Sequence, residues 1–289
     1  MNMERTQAFE QQRGRLQGIA YRMLGSRAEA EDVVQEAWLR WHRATADDIR
    51  SPQAWLVAAT TRLCIDRLRQ LRSAREVYVG PWLPEPLMLD SAPPADHATE
   101  LASDLSVAFL ALLERLAPEE RAAFLLHEIF DSDYDDIARI LGKSEAASRQ
   151  MVSRARKRVR DAQPRVQVSA EARSRLLEGL AQAVLNQDQG ALLKLLAEEA
   201  TWISDGGGKA KAAKKVVRGA AHVARFATGV LRRYLAQLSF RPITVNGEAG
   251  LAAYFEGRLI SVMTIRTDGQ RILDVFTILN PDKLHGLSH

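Results

Sequence analysis

Asp135-Asp136-Ile137-Ala138-Arg139-Ile140-Leu141-Gly142-Lys143-Ser144-Glu145-Ala146-Ala147-Ser148-Arg149-Gln150-Met151-Val152-Ser153-Arg154-Ala155-Arg156-Lys157-Arg158 reads as two helices joined by a tight turn. The first, Asp135–Leu141, sets Ile137, Ala138 and Leu141 on one face. Gly142 supplies the turn, and Ser144 suits the N-cap of the helix that follows. That second helix runs from Glu145 to about Asp161 and carries Arg149, Arg154, Arg156, Lys157, Arg158 and Arg160 against only Glu145 and Asp161. A short helix, a glycine turn and a basic helix form a helix-turn-helix pattern, whose second helix enters the DNA major groove. On that geometry Arg149, Gln150 and Ser153 are the candidate base readers, since arginine suits guanine and glutamine suits adenine. Arg154, Arg156 and Lys157, with Arg158, would meet phosphates and make binding salt-dependent. The blander reading is a basic amphipathic helix with a solvated face.

Outward from this motif the chain separates into blocks. Residues from about Phe9 to Ser73 read as helix, with Pro52 as the one proline. From Arg75 to about Ala102, Pro81, Pro84, Pro86, Pro93 and Pro94 mark a linker. Helical periodicity returns from Ser103 to Ala162, and Pro164 ends it. The last block opens with helices at Ala170–Leu185 and Gln189–Leu196, then a basic glycine-rich stretch and a helix at Ala220–Leu235. Four β-like runs follow, Gln237–Val245, Leu251–Phe255, Arg258–Arg266 and Arg271–Leu279, with the turn dipeptides Asn246-Gly247 and Asp268-Gly269 between them. Helices followed by an antiparallel meander argue for a small α+β domain.

The composition suits this division. At 289 residues the chain exceeds one average domain, and 46% hydrophobic with 26% charged residues is ordinary for a packed protein. The net charge is +4 with a pI of about 9.3, so local basic stripes matter more than the sum. A single cysteine, Cys64, excludes an internal disulfide framework and a cysteine-rich zinc site, and fits a reducing cytoplasm. No signal-peptide core or membrane-length apolar run occurs, so a cytoplasmic location without membrane contact is expected, and no cofactor or metal is implied.

The first block carries a resemblance. Tyr21-Arg22-Met23-Leu24-Gly25-Ser26 precedes Ala30-Glu31-Asp32-Val33-Val34-Gln35-Glu36-Ala37-Trp38-Leu39-Arg40-Trp41, which resembles region 2.1–2.2 of extracytoplasmic-function sigma factors of the sigma-70 family. Val33, Val34, Ala37 and Trp38 can face the core, leaving a polar face for a partner helix. The resemblance implies that Asp32, Gln35, Glu36, Leu39 and Arg40 bind the β′ clamp helices of core RNA polymerase. Pro52-Gln53-Ala54-Trp55-Leu56, leading into Thr61 through Arg69, resembles region 2.3–2.4, which melts and reads the −10 element. Arg62, Arg67, Arg69 and Arg72 then form a basic stripe for promoter DNA, and Trp55 reads as a core aromatic. Leu116-Ala117-Pro118-Glu119-Glu120-Arg121 resembles the opening of region 4, which makes the helix-turn-helix the −35 reader and adds the β flap as a partner. The run Ser144 through Gln150 departs from the Gly-Thr-Val-Lys-Ser type common in the family.

The chain continues well past Arg160, where a minimal factor of this kind would stop. Trp82-Leu83-Pro84-Glu85-Pro86, Asp205-Gly206-Gly207-Gly208-Lys209 and Asn280-Pro281-Asp282-Lys283-Leu284 resemble signatures of the group fused to a SnoaL-like, nuclear-transport-factor-2-like domain. The implied fold is two all-α domains, a region 2 bundle at 1–75 and a region 4 helix-turn-helix at 103–163, with a linker at 76–102. An α+β cone at 164–289 completes it, and in this group it is thought to replace a separate anti-sigma factor. Trp82 and Pro84 then belong to a docking strip; Asp205, Gly206, Gly207 and Lys209 to a regulatory loop; Asn280, Pro281, Asp282 and Lys283 to a latch. Residues 205–209 lack Walker spacing and are no phosphate loop. Such cones include enzymes, and His222, Asp274 and Tyr254 are the acid–base candidates, but no dyad follows from spacing and no catalysis is expected. A small-molecule pocket in the cone is the less remote option. The rival reading is a conventional helix-turn-helix regulator with a ligand-binding tail, which leaves the Asp32–Arg40 motif unexplained.

Overall fold

Gly25, at φ +66°, closes α1 (Asn2–Leu24) and lets the Ser26 hydroxyl cap α2 (Arg27–Arg43) by accepting the Glu29 N–H. α3 (Pro52–Glu76) starts on proline, where a missing N–H is harmless. Among the described residues the first block is therefore three helices, as the expected bundle requires. This computed structural model describes residues 2–45, 51–87, 105–162, 168–232 and 235–287. Pro93 and Pro94 of the linker, Pro164 and His289 lie outside the described residues. The chain forms two compact units, Met1–Glu76 with Leu112–Ala162, and Val77–Ala111 with Gln163–His289.

In the first unit α1 lies against α2 and α3. Leu16, Ile19, Met23 and Leu24 of α1 meet Val33, Val34, Ala37 and Trp41 of α2 and Leu56, Cys64, Ile65 and Leu68 of α3, all buried. Each such aliphatic side chain contributes about 1.5–3 kcal/mol of burial. Trp55 meets Trp41 at 5.3 Å between ring centres with the rings tilted by 51°, but it is only half-buried and so is not enclosed in the core. Burial pushes the Cys64 thiol up, so it stays protonated and inert. Following α4 (Val107–Leu113), whose last two residues belong here, come α5 (Pro118–Glu128), α6 (Tyr134–Leu141) and α7 (Glu145–Ala162). Gly142 (φ +63°) ends α6 in the left-handed conformation, and Ser144 accepts the Ala147 N–H to start α7. The buried face of α6 is Ile137, Ala138 and Ile140; Leu141 is only half-buried, because the helix is rotated slightly from the expected stripe. Met151, Val152, Ala155 and Val159 bury the other side of α7.

The second unit holds α8 (Ala170–Leu185), α9 (Gln189–Leu195), β1 (Leu196–Asp205), β2 (Val217–Arg218), α10 (Ala220–Leu231), β3 (Leu238–Val245), β4 (Glu248–Phe255), β5 (Arg258–Thr267), β6 (Ile272–Ile278) and α11 (Pro281–Leu284). The sheet order is β2-β1-β6-β5-β4-β3, antiparallel except for the parallel β1–β6 pair. Two corrections to the sequence reading follow. α10 stops at Leu231, and β1 and β2 extend the expected four strands to six. β1 begins Leu196-Ala197-Glu198-Glu199-Ala200, a locally helix-favouring run that pairing with β6 overrides after a register shift between Leu196 and Thr201. Asn246 (φ +54°) and Gly247 (φ +80°) form the expected hairpin turn, and Glu256-Gly257 forms a second of the same kind. α8, α9 and α10 cover one sheet face through Leu176, Leu180, Val184, Leu192, Val223 and Ala227, against Trp202, Met263, Ile265 and Val275. This helices-on-a-sheet arrangement is the expected α+β cone.

Candidate functional sites

On α2, Asp32, Gln35, Leu39 and Arg40 are exposed, and Glu36 is half-buried. Arg40 pairs with Glu36 at 2.9 Å, which holds that face of the helix in a defined arrangement. Leu39 is 42% exposed, an apolar knob in a charged surround. Trp38 turns inward and stacks on Phe9 at 4.7 Å.

The α3 arginines are differently placed. Arg62 donates from Nε to the Ile140 carbonyl and from Nη2 to the Arg139 carbonyl, both at 2.9 Å, at the negative end of the α6 dipole. Arg67 is clamped by Glu29, and Arg69 bonds Asp66 at 3.2 Å and Glu119 of α5 at 2.7 Å. Arg72 is the most solvated, 83% exposed beside Glu76. Two largely shielded bridges fasten the same unit: buried Arg121 donates to the Met23 carbonyl and to Glu114, both at 2.6 Å, and half-buried Arg75 pairs with Glu114 and the Leu24 carbonyl. Sequence reasoning quoted Arg121 only within the region 4 opening and missed Glu114 and the bridging role of both, because the links to Arg75 and to the Met23 carbonyl join segments far apart in the chain.

On α7, Arg149, Gln150, Ser153, Arg154 and Lys157 are all exposed; Arg149 also pairs with Glu145 and lies 4.4 Å over the Tyr134 ring, and Arg154 lies 3.9 Å from Glu120. Arg156 pairs with Glu128 and Arg158 with Glu120. The helix therefore offers a mixed polar edge at its start and a partly neutralised basic flank behind it.

The second unit gathers the three short motifs of the linker, the glycine loop and the C-terminus. Asp205, with no exposed surface, accepts from the Tyr78 hydroxyl at 2.6 Å, the Leu83 N–H at 2.8 Å and the Lys283 ammonium at 2.7 Å. Lys283 also donates to the Leu83 carbonyl at 2.5 Å and lies 4.1 Å over the Trp82 ring. Asn280 donates to the Tyr78 hydroxyl at 3.0 Å and caps α11, whose first residue is Pro281. Burial and the Asp205 carboxylate push the Tyr78 phenol up, so it stays a donor. Gly207 has φ +58°, and a Cβ there would strike the Asn280 amide and reach the Tyr78 hydroxyl at 3.0 Å. Gly206 is likewise closed in by the Ala210 carbonyl. Lys209 and Asp282 form an exposed pair at 2.5 Å. Pro84 and Pro86 are buried, and Leu87 exchanges hydrogen bonds with Asn246. Leu83 and Val107 enter one apolar cluster with Val245, Val262, Phe276, Ile278 and Leu284. The described part of the linker, 77–87, thus belongs to this unit, and so do residues 105–111, which lie past the linker at the start of the region 4 segment. Tyr78 was not singled out in the sequence, although it stands four residues before Trp82 in the same linker.

The acid–base candidates do not converge. Asp274 is tied to Thr201 and Arg266, His222 is exposed beside the Arg218 carbonyl, and Arg241 lies 4.7 Å over Tyr254. Among the described residues no group of His, Cys, Asp and Glu could hold a metal, and no helix is long and apolar enough to cross a membrane.

Known proteins bear on these sites as follows. Residues 8–74 match sigma-70 region 2, and residues 106–159 match sigma-70 region 4. Over 96% of this chain and 92% of the relative, the sequence is 40% identical to the ECF RNA polymerase sigma factor SigJ of Mycobacterium tuberculosis. It is 30% identical, over 97% of this chain and 94% of the relative, to that organism's probable ECF RNA polymerase sigma factor SigI. The crystal structure of the M. tuberculosis SigJ superposes with a TM-score of 0.76 at 36% identity, covering 97% of this chain and 98% of the other.

Proposed function

This chain belongs to the extracytoplasmic-function sigma factors of the sigma-70 family, and from that premise we propose that its C-terminal domain regulates it in cis through the linker. As a sigma factor it is a non-enzymatic initiation factor that binds core RNA polymerase and directs promoter recognition. The finer roles are our reading. Asp32, Gln35, Glu36, Leu39 and Arg40 dock on the β′ clamp helices, and region 4 contacts the β flap. Arg62, Arg67, Arg69 and Arg72 handle the −10 element. Arg149, Gln150 and Ser153 read −35 bases, with Arg154, Arg156 and Lys157 on phosphates. The cone also offers a small-molecule site.

The observation that carries the regulatory reading is the Asp205 hub. One buried carboxylate holds the linker segment 77–87, while Val107, past the linker at the start of α4, sits in the same apolar cluster as Leu83. A linker held at its start, with the chain past it anchored in the same cluster, would limit how far regions 2 and 4 can separate to span a promoter. Arg62 and Arg69, proposed to touch DNA, are meanwhile occupied by α6 carbonyls and by Glu119. Promoter-specific run-off transcription with purified core polymerase tests this, comparing wild type with Asp205→Asn. A changed transcript yield at unchanged core affinity supports control through the hub; equal yields at every promoter that responds would sink it.

A further inference from the structure

Between the sheet and α10 of the second unit lies a cavity of about 590 Å³, within the range of small-molecule sites. Its body is apolar: Trp202, Phe226, Leu238, Phe240, Ile260 and Met263. Thr277, 5% exposed, lines the same space, and its hydroxyl has no hydrogen-bond partner. A buried hydroxyl left unpaired is an unusual expense in a folded protein, and a ligand oxygen would satisfy it. The rim is the 206–214 loop, which brings Lys209, Lys211 and Lys214 to the lining, while among the described residues no Asp or Glu lines the cavity. Asp282 takes up Lys209, so Lys211 and Lys214, both exposed, set the field at the mouth.

An apolar chamber with an interior hydroxyl and a cationic rim selects one ligand chemistry. We propose that this cavity binds an amphipathic carboxylate, its apolar body among Trp202, Phe226 and Met263 and its carboxylate toward Lys211 and Lys214, and that occupancy holds the linker down. The second clause rests on the regulatory reading above. Its structural basis is Val79, a linker residue that forms part of the cavity wall and lies where a Cβ on Gly208 would meet it at 3.3 Å. Gly80 passes over the same loop, near Lys214. Release of the linker removes a wall, so the ligand binds the docked form better and shifts the population toward it.

The test is calorimetric titration of the full-length chain with dodecanoate and 2-naphthoate, against dodecan-1-ol and 2-naphthol. Binding of dodecanoate assigns a fatty acid and binding of 2-naphthoate an aromatic acid; either is expected to exceed its alcohol roughly tenfold, the worth of a charge-assisted contact. Lys211→Glu with Lys214→Glu should remove that advantage and leave the alcohol unchanged. Ser261→Leu, which fills the chamber, should abolish binding; should that variant fail to fold, Ile260→Trp at a half-buried wall position should weaken the binding of acid and alcohol alike. Bound acid should also slow chymotryptic cleavage at Tyr78 and Trp82. No binding by any probe, equal binding of acid and alcohol, or cleavage unaffected by bound acid overturns the proposal. Failure of the regulatory reading shows separately, as transcription indifferent to Asp205→Asn while the acid still binds.

Discussion

The carboxylate of Asp205, fully buried at the end of β1, accepts the backbone N–H of Leu83 at 2.8 Å, across 122 residues of sequence. A buried carboxylate is tolerable only with its charge and lone pairs satisfied, and Tyr78 and Lys283 complete the set. Removing it leaves Lys283 without its counter-charge and frees the linker. Asp205→Ala should therefore weaken linker docking by about 3–5 kcal/mol. The expected outcome is much faster chymotryptic cleavage after Tyr78 and Trp82, followed by mass spectrometry. A cleavage rate equal to wild type would show that the hub does not hold the linker.

The two lysines of the motifs should separate cleanly. The Lys283 side chain is 11% exposed and serves Asp205, the Leu83 carbonyl and the Trp82 ring together. Lys209 meets Asp282 in water, with both side chains more than half exposed. Lys283→Ala is expected to lose about 2–4 kcal/mol, and Lys209→Ala less than about 1 kcal/mol. Thermal unfolding of both variants measures the difference; a larger loss from Lys209→Ala would contradict the assignment.

The fold was largely readable because most of it is periodic. Gly142 and Ser144 announce the helix-turn-helix, and Asn246-Gly247 announces a hairpin, each through local backbone chemistry. β1 was hidden because its Glu198-Glu199-Ala200 segment favours helix until β6 pairs beside it. The three motifs of the second unit were visible as oddities of composition, but their meeting point was not. Asp205, Lys283 and Tyr78 are distant in sequence, and only the folded sheet brings them within hydrogen-bonding distance. Arg62 shows the same limit: its charge was legible, while its engagement with two carbonyls of α6 depends on tertiary packing.

Leu39 gives a prediction for the proposed polymerase-docking face. Its exposure beside Asp32, Glu36 and Arg40 has no structural use within the described fold. An apolar side chain at the centre of a charged docking face is a candidate hot spot. Leu39→Asp should leave the thermal midpoint unchanged and lower core-polymerase affinity by at least roughly tenfold, about 1.4 kcal/mol. Native binding with core enzyme, in a titration of labelled protein, would remove α2 from the interface.

Glu248 makes the second unit sensitive to pH. Burial pushes its carboxyl up to about 7, against the pull of Arg173 at 2.8 Å. Its pKa is thus raised above the unfolded value of about 4.3. The stability it contributes is fully present below about 4.3 and is lost as pH rises through about 7. Glu248→Gln should flatten that window. Thermal midpoints of wild type and variant between pH 4.5 and 8 check it, and parallel curves would exclude Glu248 as the titrating group.

Glu119 allows the proposed closed arrangement of the first unit to be tested without deleting any of the arginines proposed to face DNA. It accepts from Arg69 at 2.7 Å and pairs with Lys143 at 2.9 Å, and chiefly the Lys143 bond holds its carboxyl below the usual range. The pair with Arg69 is only half-shielded, so breaking it shifts the equilibrium modestly, by about 0.2–1 kcal/mol. Arg69→Ala would remove both the closed contact and a proposed −10 contact, two effects of opposite sign on promoter binding. Glu119→Gln removes only the first. It is therefore expected to raise promoter-complex formation up to about fivefold, while Arg69→Ala lowers it. Equilibrium binding of reconstituted holoenzyme to a fluorescent promoter fragment distinguishes the two. A fall with both variants would mean that Glu119 supports the fold of α5 and not a closed state of the DNA-reading regions.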